Sequence, residues 1–242
     1  MAVTCMLSLA LFWSSLLCLV PSSLQDGAAG NMDRELQHIL QNYNKVLSPA
    51  TRDNQTVLVK HGITVTRIVD LKDDVMTLDI WQDMEWTDVR LRWMADDVLR
   101  QINIATDLIW VPDIVLYNSG GISSYLHPPD TRQAHVLYDG TVFVSSALRL
   151  HVWCGNANGS SPVDQDGTYT CNLKFGSWGY DGFRMDLHGR MDDVDLSSLS
   201  EHRQWRVKST SMTRNVVLYS CCPEPFLDLS YTIQLEPKYG PC

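Results

Sequence analysis

Val75-Met76-Thr77-Leu78-Asp79-Ile80-Trp81 alternates with a period of two. Successive side chains of a strand point to opposite sides, so Met76, Leu78 and Ile80 share one face and Thr77, Asp79 and Trp81 the other. The phase returns from Phe226 to Leu235. There Leu227, Leu229, Tyr231, Ile233 and Leu235 take the core side, and Phe226 joins Asp228, Ser230, Thr232 and Gln234 opposite. Turn clusters punctuate the same pattern at Lys72-Asp73-Asp74, Asn118-Ser119-Gly120-Gly121, Tyr138-Asp139-Gly140 and Gly155 to Gly167. Many short strands so divided predict an antiparallel β-sandwich or barrel. One segment, Asp33 to Val46, reads as a helix: Leu36, Ile39, Leu40, Tyr43 and Val46 recur at helical spacing behind an acidic first turn. No repeat or Pro/Gly/Ser linker splits the chain.

Two aromatics break the alternation, Trp81 and Phe226, both on polar faces. Single exposed aromatics are ordinary. Two at strand ends point to a recognition surface or a subunit interface. Phe226 also closes the segment Tyr219-Ser220-Cys221-Cys222-Pro223-Glu224-Pro225-Phe226, in which aromatics bracket adjacent cysteines. Neighbouring Cα atoms stand about 3.8 Å apart, below the roughly 4.4–6.8 Å of a relaxed disulfide. On geometry alone the pair reads as two independent thiols, two separate bridges, or an awkward bond between neighbours.

The chain has 242 residues and a net charge of −9. That length supports one domain with a real core, or two. The acidic balance argues against binding a phosphate backbone, which needs a Lys/Arg surplus, and is compatible with a cationic ligand. Residues 1–25 carry no charge and hold an apolar run from Met6 to Val20 before Pro21-Ser22-Ser23. This reads as a secretory signal peptide lacking the usual leading Lys or Arg; a membrane anchor is the alternative, though the run is short for a span. No later stretch is apolar over about 18 residues, so a soluble mature chain is expected. Of seven cysteines, Cys5 and Cys18 fall in this leader, leaving Cys154, Cys171, Cys221, Cys222 and Cys242. Secretion would oxidise them. Sequons at Asn54 and Asn158 fit the same extracellular compartment.

Signals for catalysis are poor. Gly176-Ser177-Trp178-Gly179 is not a nucleophile elbow, the seven histidines form no pair with metal-ligand spacing, and no glycine-rich phosphate loop follows a strand. A binding protein without metal or cofactor is the expectation, not an enzyme.

Several segments together resemble one family, the extracellular ligand-binding domain of nicotinic acetylcholine receptors and the soluble acetylcholine-binding proteins. They are Trp81-Gln82-Asp83-Met84-Glu85-Trp86-Thr87-Asp88, Trp110-Val111-Pro112-Asp113-Ile114-Val115-Leu116-Tyr117-Asn118, the Cys154/Cys171 pair, Gly176-Ser177-Trp178, and the Tyr219 to Pro225 segment. They run in the family's order over about Asp33 to Glu236. The resemblance implies a signal peptide at 1–25 and, over 26–242, a domain of the neurotransmitter-gated ion-channel type. Its fold would be a ten-stranded, immunoglobulin-like sandwich capped by an N-terminal helix and assembled as a ring of five.

The resemblance also implies ligand sites between neighbouring subunits. Tyr117, Trp178, Tyr219, Cys221 and Cys222 match the principal face, and Phe226 stands where the family has a second tyrosine. The complementary face of the neighbour begins with Trp81 and continues, through alignment of Val136 to Val142, with His135, Phe143 and Ser145. Ser145 is small and polar where the family often has an apolar side chain. The implied disulfides are Cys154–Cys171 and Cys221–Cys222, with Cys242 left over. Such a site suits a quaternary ammonium such as acetylcholine, which has no N–H to donate but is attracted by each aromatic face by about 0.5–2 kcal/mol, and nicotine is the other ligand implied.

One departure bears on function. The receptors carry an apolar Phe-Pro-Phe-type turn between these first two cysteines; here Gly155 to Thr170 is polar, contains the Asn158 sequon and is longer. In the chain-entropy account a bridge closing such a loop adds about 3 kcal/mol. The sequence therefore reads as a secreted homopentameric binder that gates nothing. The alternatives are a receptor subunit cut before its transmembrane helices and a ring-forming structural or adhesion protein that has lost its ligand.

Overall fold

The computed structural model describes residues 26–50, 55–94, 99–126, 132–155 and 161–239. The leader, Asn54, Asn158 and Cys242 lie outside the described residues. Helix α1 (Asp26–Leu40) is followed by eleven strands: β1 (Val57–Lys72), β2 (Val75–Thr87), β3 (Gln101–Ala105), β4 (Ile114–Leu116), β5 (Ser124–Tyr125), β6 (Gln133–Leu137), β7 (Thr141–Trp153), β8 (Tyr169–Ser177), β9 (Met185–Gly189), β10 (Trp205–Leu218) and β11 (Pro225–Pro237). Setting aside the two-residue β5, ten strands make the sandwich. One sheet runs β3-β6-β7-β2-β1-β9 with β5 attached to β7, and the other runs β10-β11-β8-β4.

The period-two phase of β2 and β11 is realised. Met76, Leu78 and Ile80 from β2 and Leu229, Tyr231, Ile233 and Leu235 from β11 are buried between the sheets. The β1–β2 hairpin turns at Asp73 and Asp74, both with positive φ (50° and 61°), the conformation a two-residue turn needs to match strand twist. The polar phase, however, is not uniformly solvated. Asp79 is buried, held between the guanidinium groups of Arg149 (2.7 Å) and Arg67 (2.6 Å). The Arg149 hydrogen bond leads in holding its carboxyl below the usual range. Asp228, likewise read as a polar-face residue, is buried against Lys174 at 3.1 Å. A buried carboxylate needs such partners.

The helix is shifted from the reading over Asp33 to Val46: it starts at Asp26 and stops at Leu40. Past Leu40 the Tyr43 N–H donates to the Leu40 carbonyl (3.2 Å) in a turn, and the Asn44 side chain then accepts from the Val46 N–H (3.0 Å), which keeps the following residues out of the helix. Val46 is consequently exposed, and Tyr43 leaves the helix to donate to Asp88 Oδ2 (2.6 Å) while accepting from the Trp110 N–H (3.0 Å). Arg90 Nη2 closes this knot on Asp88 at 2.6 Å, fastening the segment after the helix to the sandwich.

One polar group joins the two sheets through the core. His61 on β1 is wholly buried, its Nδ1 2.9 Å from the Tyr231 hydroxyl on β11 and its Nε2 3.1 Å from the Gln82 amide on β2. The Tyr231 hydroxyl donates to the His61 carbonyl (2.9 Å). Burial pushes the imidazole pKa down to about 3, so the ring is neutral.

Candidate functional site

The four-stranded sheet ends in a cluster of aromatics. Tyr117 follows β4, fixed by its N–H donating to the Lys174 carbonyl (2.8 Å) and its hydroxyl donating to the Ser177 carbonyl (2.5 Å). Its ring lies flat against β8 only because residue 176 is glycine, where any Cβ would collide with the phenol. Burial, aided by the nearby Tyr219, Asp228 and Asp113, pushes the Tyr117 hydroxyl up to about 12, so it remains a neutral donor. Trp178 stands just beyond β8, in a turn organised by Asp113. That carboxylate accepts from Ser177 Oγ and the Gly179 N–H, both at 2.6 Å. The indole is 77% exposed and meets Tyr117 edge-on, with ring centroids 6.4 Å apart.

The β10–β11 hairpin supplies the remaining wall. Its register runs to Leu218 opposite Pro225, leaving residues 219–224 as the connecting loop. Tyr219 and Phe226 flank this loop with ring centroids 5.6 Å apart and planes at 66°. Cys221 and Cys222 are bonded to each other at its tip, their Cα atoms 3.8 Å apart. Tyr117, Trp178, Tyr219 and Phe226 line one cavity of about 360 Å³ with Lys174 and Ser177.

Lys174 lines this cavity and is paired with Asp228, which is buried behind it. The ammonium lies 6.0 Å from the centre of the Tyr117 ring and 3.1 Å from Asp228 Oδ2. Asp228 Oδ1 also accepts from Asn215 (2.7 Å) and Ser230 (3.2 Å). The ion pair compensates the charge of the lysine beside the four aromatic rings. Sequence reasoning missed Lys174, Ser177 and Asp113. The strand phase put Asp228 beside Phe226, but only the register of β8 against β11, Ser230 opposite Lys174, brings the lysine under the ring.

The other sequence-predicted residues stand elsewhere, on the outward face of the larger sheet. Trp81 is 46% exposed and lies opposite Ala147. Phe143 pairs with His135, ring centroids 6.3 Å apart, and Ser145 lies opposite Asp83. None of these four lines the aromatic cavity. The predicted residues therefore fall into two separate groups, one on each sheet.

Cys154 is bonded to Cys171, with Cα atoms 4.7 Å apart. Within the loop they close, Asp166 accepts from the Thr168 N–H (3.0 Å) and from Lys208 (3.1 Å), which ties the loop to β10. The bond to the Thr168 N–H and the lysine hold the Asp166 carboxyl down at about 2. Val163, Asp164, Gln165 and Asp166 are exposed. Among the described residues no His/Cys/Asp/Glu group is placed to hold a metal, and no helix is long and apolar enough to cross a membrane.

Residues 32–239 match the family described as neurotransmitter-gated ion-channel ligand binding domain. The human neuronal acetylcholine receptor subunit alpha-10 is 34% identical over 230 residues, 92% of this chain and 49% of that protein. The human alpha-2 subunit is 31% identical over 223 residues (89% and 41%) and the rat alpha-2 subunit 32% over 231 (91% and 44%). The chain thus spans about half the length, or less, of the curated relatives it matches. These relatives are receptor subunits, not enzymes. With this match over most of its length, the chain belongs to the neurotransmitter-gated ion-channel ligand-binding domain family.

Proposed function

We propose that the protein binds small cationic ligands of the acetylcholine and nicotine type, in aromatic boxes completed between adjacent copies of a homopentamer, as a secreted protein with no channel of its own. The observation that carries this is the convergence of Tyr117, Trp178, Tyr219 and Phe226 on one cavity of about 360 Å³ beside the Cys221–Cys222 loop. Three or four such faces supply several kcal/mol toward a desolvated cation, enough for micromolar binding after ordering costs. Trp81, His135, Phe143 and Ser145 would come from the neighbour, since they share an outward face remote from the cavity. A head-to-tail contact of this kind closes into a ring.

The soluble reading is supported by the polar composition of the segment between Cys154 and Cys171, in which Asp164, Gln165 and Asp166 are exposed, in place of a Phe-Pro-Phe-type turn. Its glycosylation at Asn158, with Asn54, belongs to the same proposal. A second reading, the extracellular domain of a receptor subunit, is favoured by the relatives, which are neuronal acetylcholine receptor subunits. The test is titration of the secreted protein with acetylcholine and nicotine, followed by tryptophan fluorescence, with light scattering for mass. Saturable micromolar quenching by a species of five chains supports the proposal. A monomer, or a pentamer that binds neither ligand, overturns it.

A further inference from the structure

On the outward face of β1, β2 and β7, three rows of residues run from strand to strand: Thr64, Trp81 and Ala147; then Gly62, Asp83 and Ser145; then Lys60, Glu85 and Phe143. The middle row has little side-chain bulk at either end, and Arg190 reaches across it. Leaving β9, its N–H donates to the His61 carbonyl (2.8 Å), which fixes the residue beside Gly62. A Cβ on Gly62 would already touch Arg190 Cβ at 3.4 Å, so the missing side chain opens the lane. The arginine then crosses β2, with Nη1 3.4 Å from Asp83 Oδ2 and Nε 3.7 Å from Glu85 Oε2. Its guanidinium carbon ends 4.8 Å from the centre of the Phe143 ring.

We propose that Arg190 sets ligand preference: it gives the complementary wall a fixed hydrogen-bond donor and selects cations that carry an acceptor (an ester carbonyl or an aromatic nitrogen) at the end remote from the charge. This rests on the function proposed above. Two features of the guanidinium support it. The stacked ring face is already occupied by a cation, so Phe143 is not available there to attract a second one. Nη2 makes no hydrogen bond among the described residues, the side chain is 34% exposed, and Ser145 leaves room beside it. Two carboxylates and two bases, Asp83 and Glu85 with Arg190 and Lys60, balance one another, so the group acts through its donor geometry rather than through net charge.

Three probes separate this from the box itself. Tetramethylammonium has only the cation, acetylcholine adds an acceptor, and decamethonium adds a second cation. Dissociation constants are measured for the assembled wild type and for Arg190→Gln. The variant's preference for acetylcholine over tetramethylammonium should fall about tenfold, the worth of one charge-assisted hydrogen bond, while decamethonium binding improves. A misfolded variant would lose all three ligands together, so the opposite signs identify the effect. Unchanged ratios, or equal loss of every probe by a variant that keeps the wild-type melting curve and assembled mass, overturn the assignment to Arg190. A wild type that binds no tetramethylammonium and no acetylcholine instead sinks the cation-box reading, and this inference with it.

Discussion

The two surfaces, one on each sheet, are built by different means. On the smaller sheet, Tyr117, Trp178, Tyr219 and Phe226 gather around a cavity that Lys174, paired with the buried Asp228, also lines. On the larger sheet, Trp81, Phe143 and His135 are spread over three strands, and charge runs between them in Arg190, Asp83, Glu85 and Lys60. On the proposed function, the first surface would desolvate a cation and the second would orient what is attached to it. Affinity should then reside mainly on the aromatic side and selectivity on the charged side.

The largest effect should strike both at once. His61 reaches Tyr231 across the core, and its folded pKa of about 3 lies below the ordinary histidine value. Above that ordinary value both states are neutral and the stability is complete. As pH falls, the unfolded chain takes up a proton that the folded chain refuses, costing about 1.4 kcal/mol per pH unit down to the folded pKa. Carboxylates whose pKa is lowered, such as Asp79 and Asp186, lose their contribution only lower down, below the ordinary aspartate value. Melting temperatures measured from pH 6.5 to 4.5 should fall steeply for wild type and much less for His61→Gln. Parallel slopes would mean that the histidine does not couple the sheets.

Next comes the aromatic side alone. Trp178→Ala should weaken tetramethylammonium binding about 30-fold, since a desolvated indole face is worth up to about 2 kcal/mol. The indole is 77% exposed, so the melting temperature should hardly move. Wild-type affinity in a pentameric Trp178→Ala protein would remove the cation from the place assigned to it. Trp81→Ala strikes the other side and should cost less, roughly fivefold, because one half-exposed ring there faces a ligand already held by the box. A greater loss than for Trp178→Ala would invert the comparison.

The asymmetry also governs what could be read from sequence. Trp81 and Phe226 betrayed themselves as aromatics in the wrong strand phase, and Tyr219 by its place beside paired cysteines. Strand phase is local, so the cores of β2 and β11 were equally legible. Lys174, Asp113 and Arg190 were not, because their roles depend on register and on loops that bring distant residues together. Asp79 and Asp228 show the same limit: phase placed them on polar faces, but only Arg149, Arg67 and Lys174, delivered by other strands, turn those positions into buried ion pairs. The helix was displaced for a smaller reason. Tyr43 and Val46 kept helical spacing, but the helix ends at Leu40 and both residues follow it in turns.

Phe226→Tyr should have the smallest effect, leaving cation affinity within about threefold of wild type or improving it. The ring is half-buried, edge-on to Tyr219, and lies on the same strand face as Asp228 and Ser230. A phenol keeps the aromatic face that the cation uses and adds a hydroxyl at an open cavity, where water can satisfy it. It therefore does not incur the roughly 1–3 kcal/mol that an unsatisfied buried hydroxyl would cost. The measurement is tetramethylammonium affinity beside a melting curve, so that folding and binding are read separately. If the variant folds but no longer binds, closure of the Cys221–Cys222 loop needs an apolar contact at residue 226. Part of the affinity would then come from hydrophobic burial under that loop, and the division between an aromatic side that attracts and a charged side that selects would have to be redrawn around it.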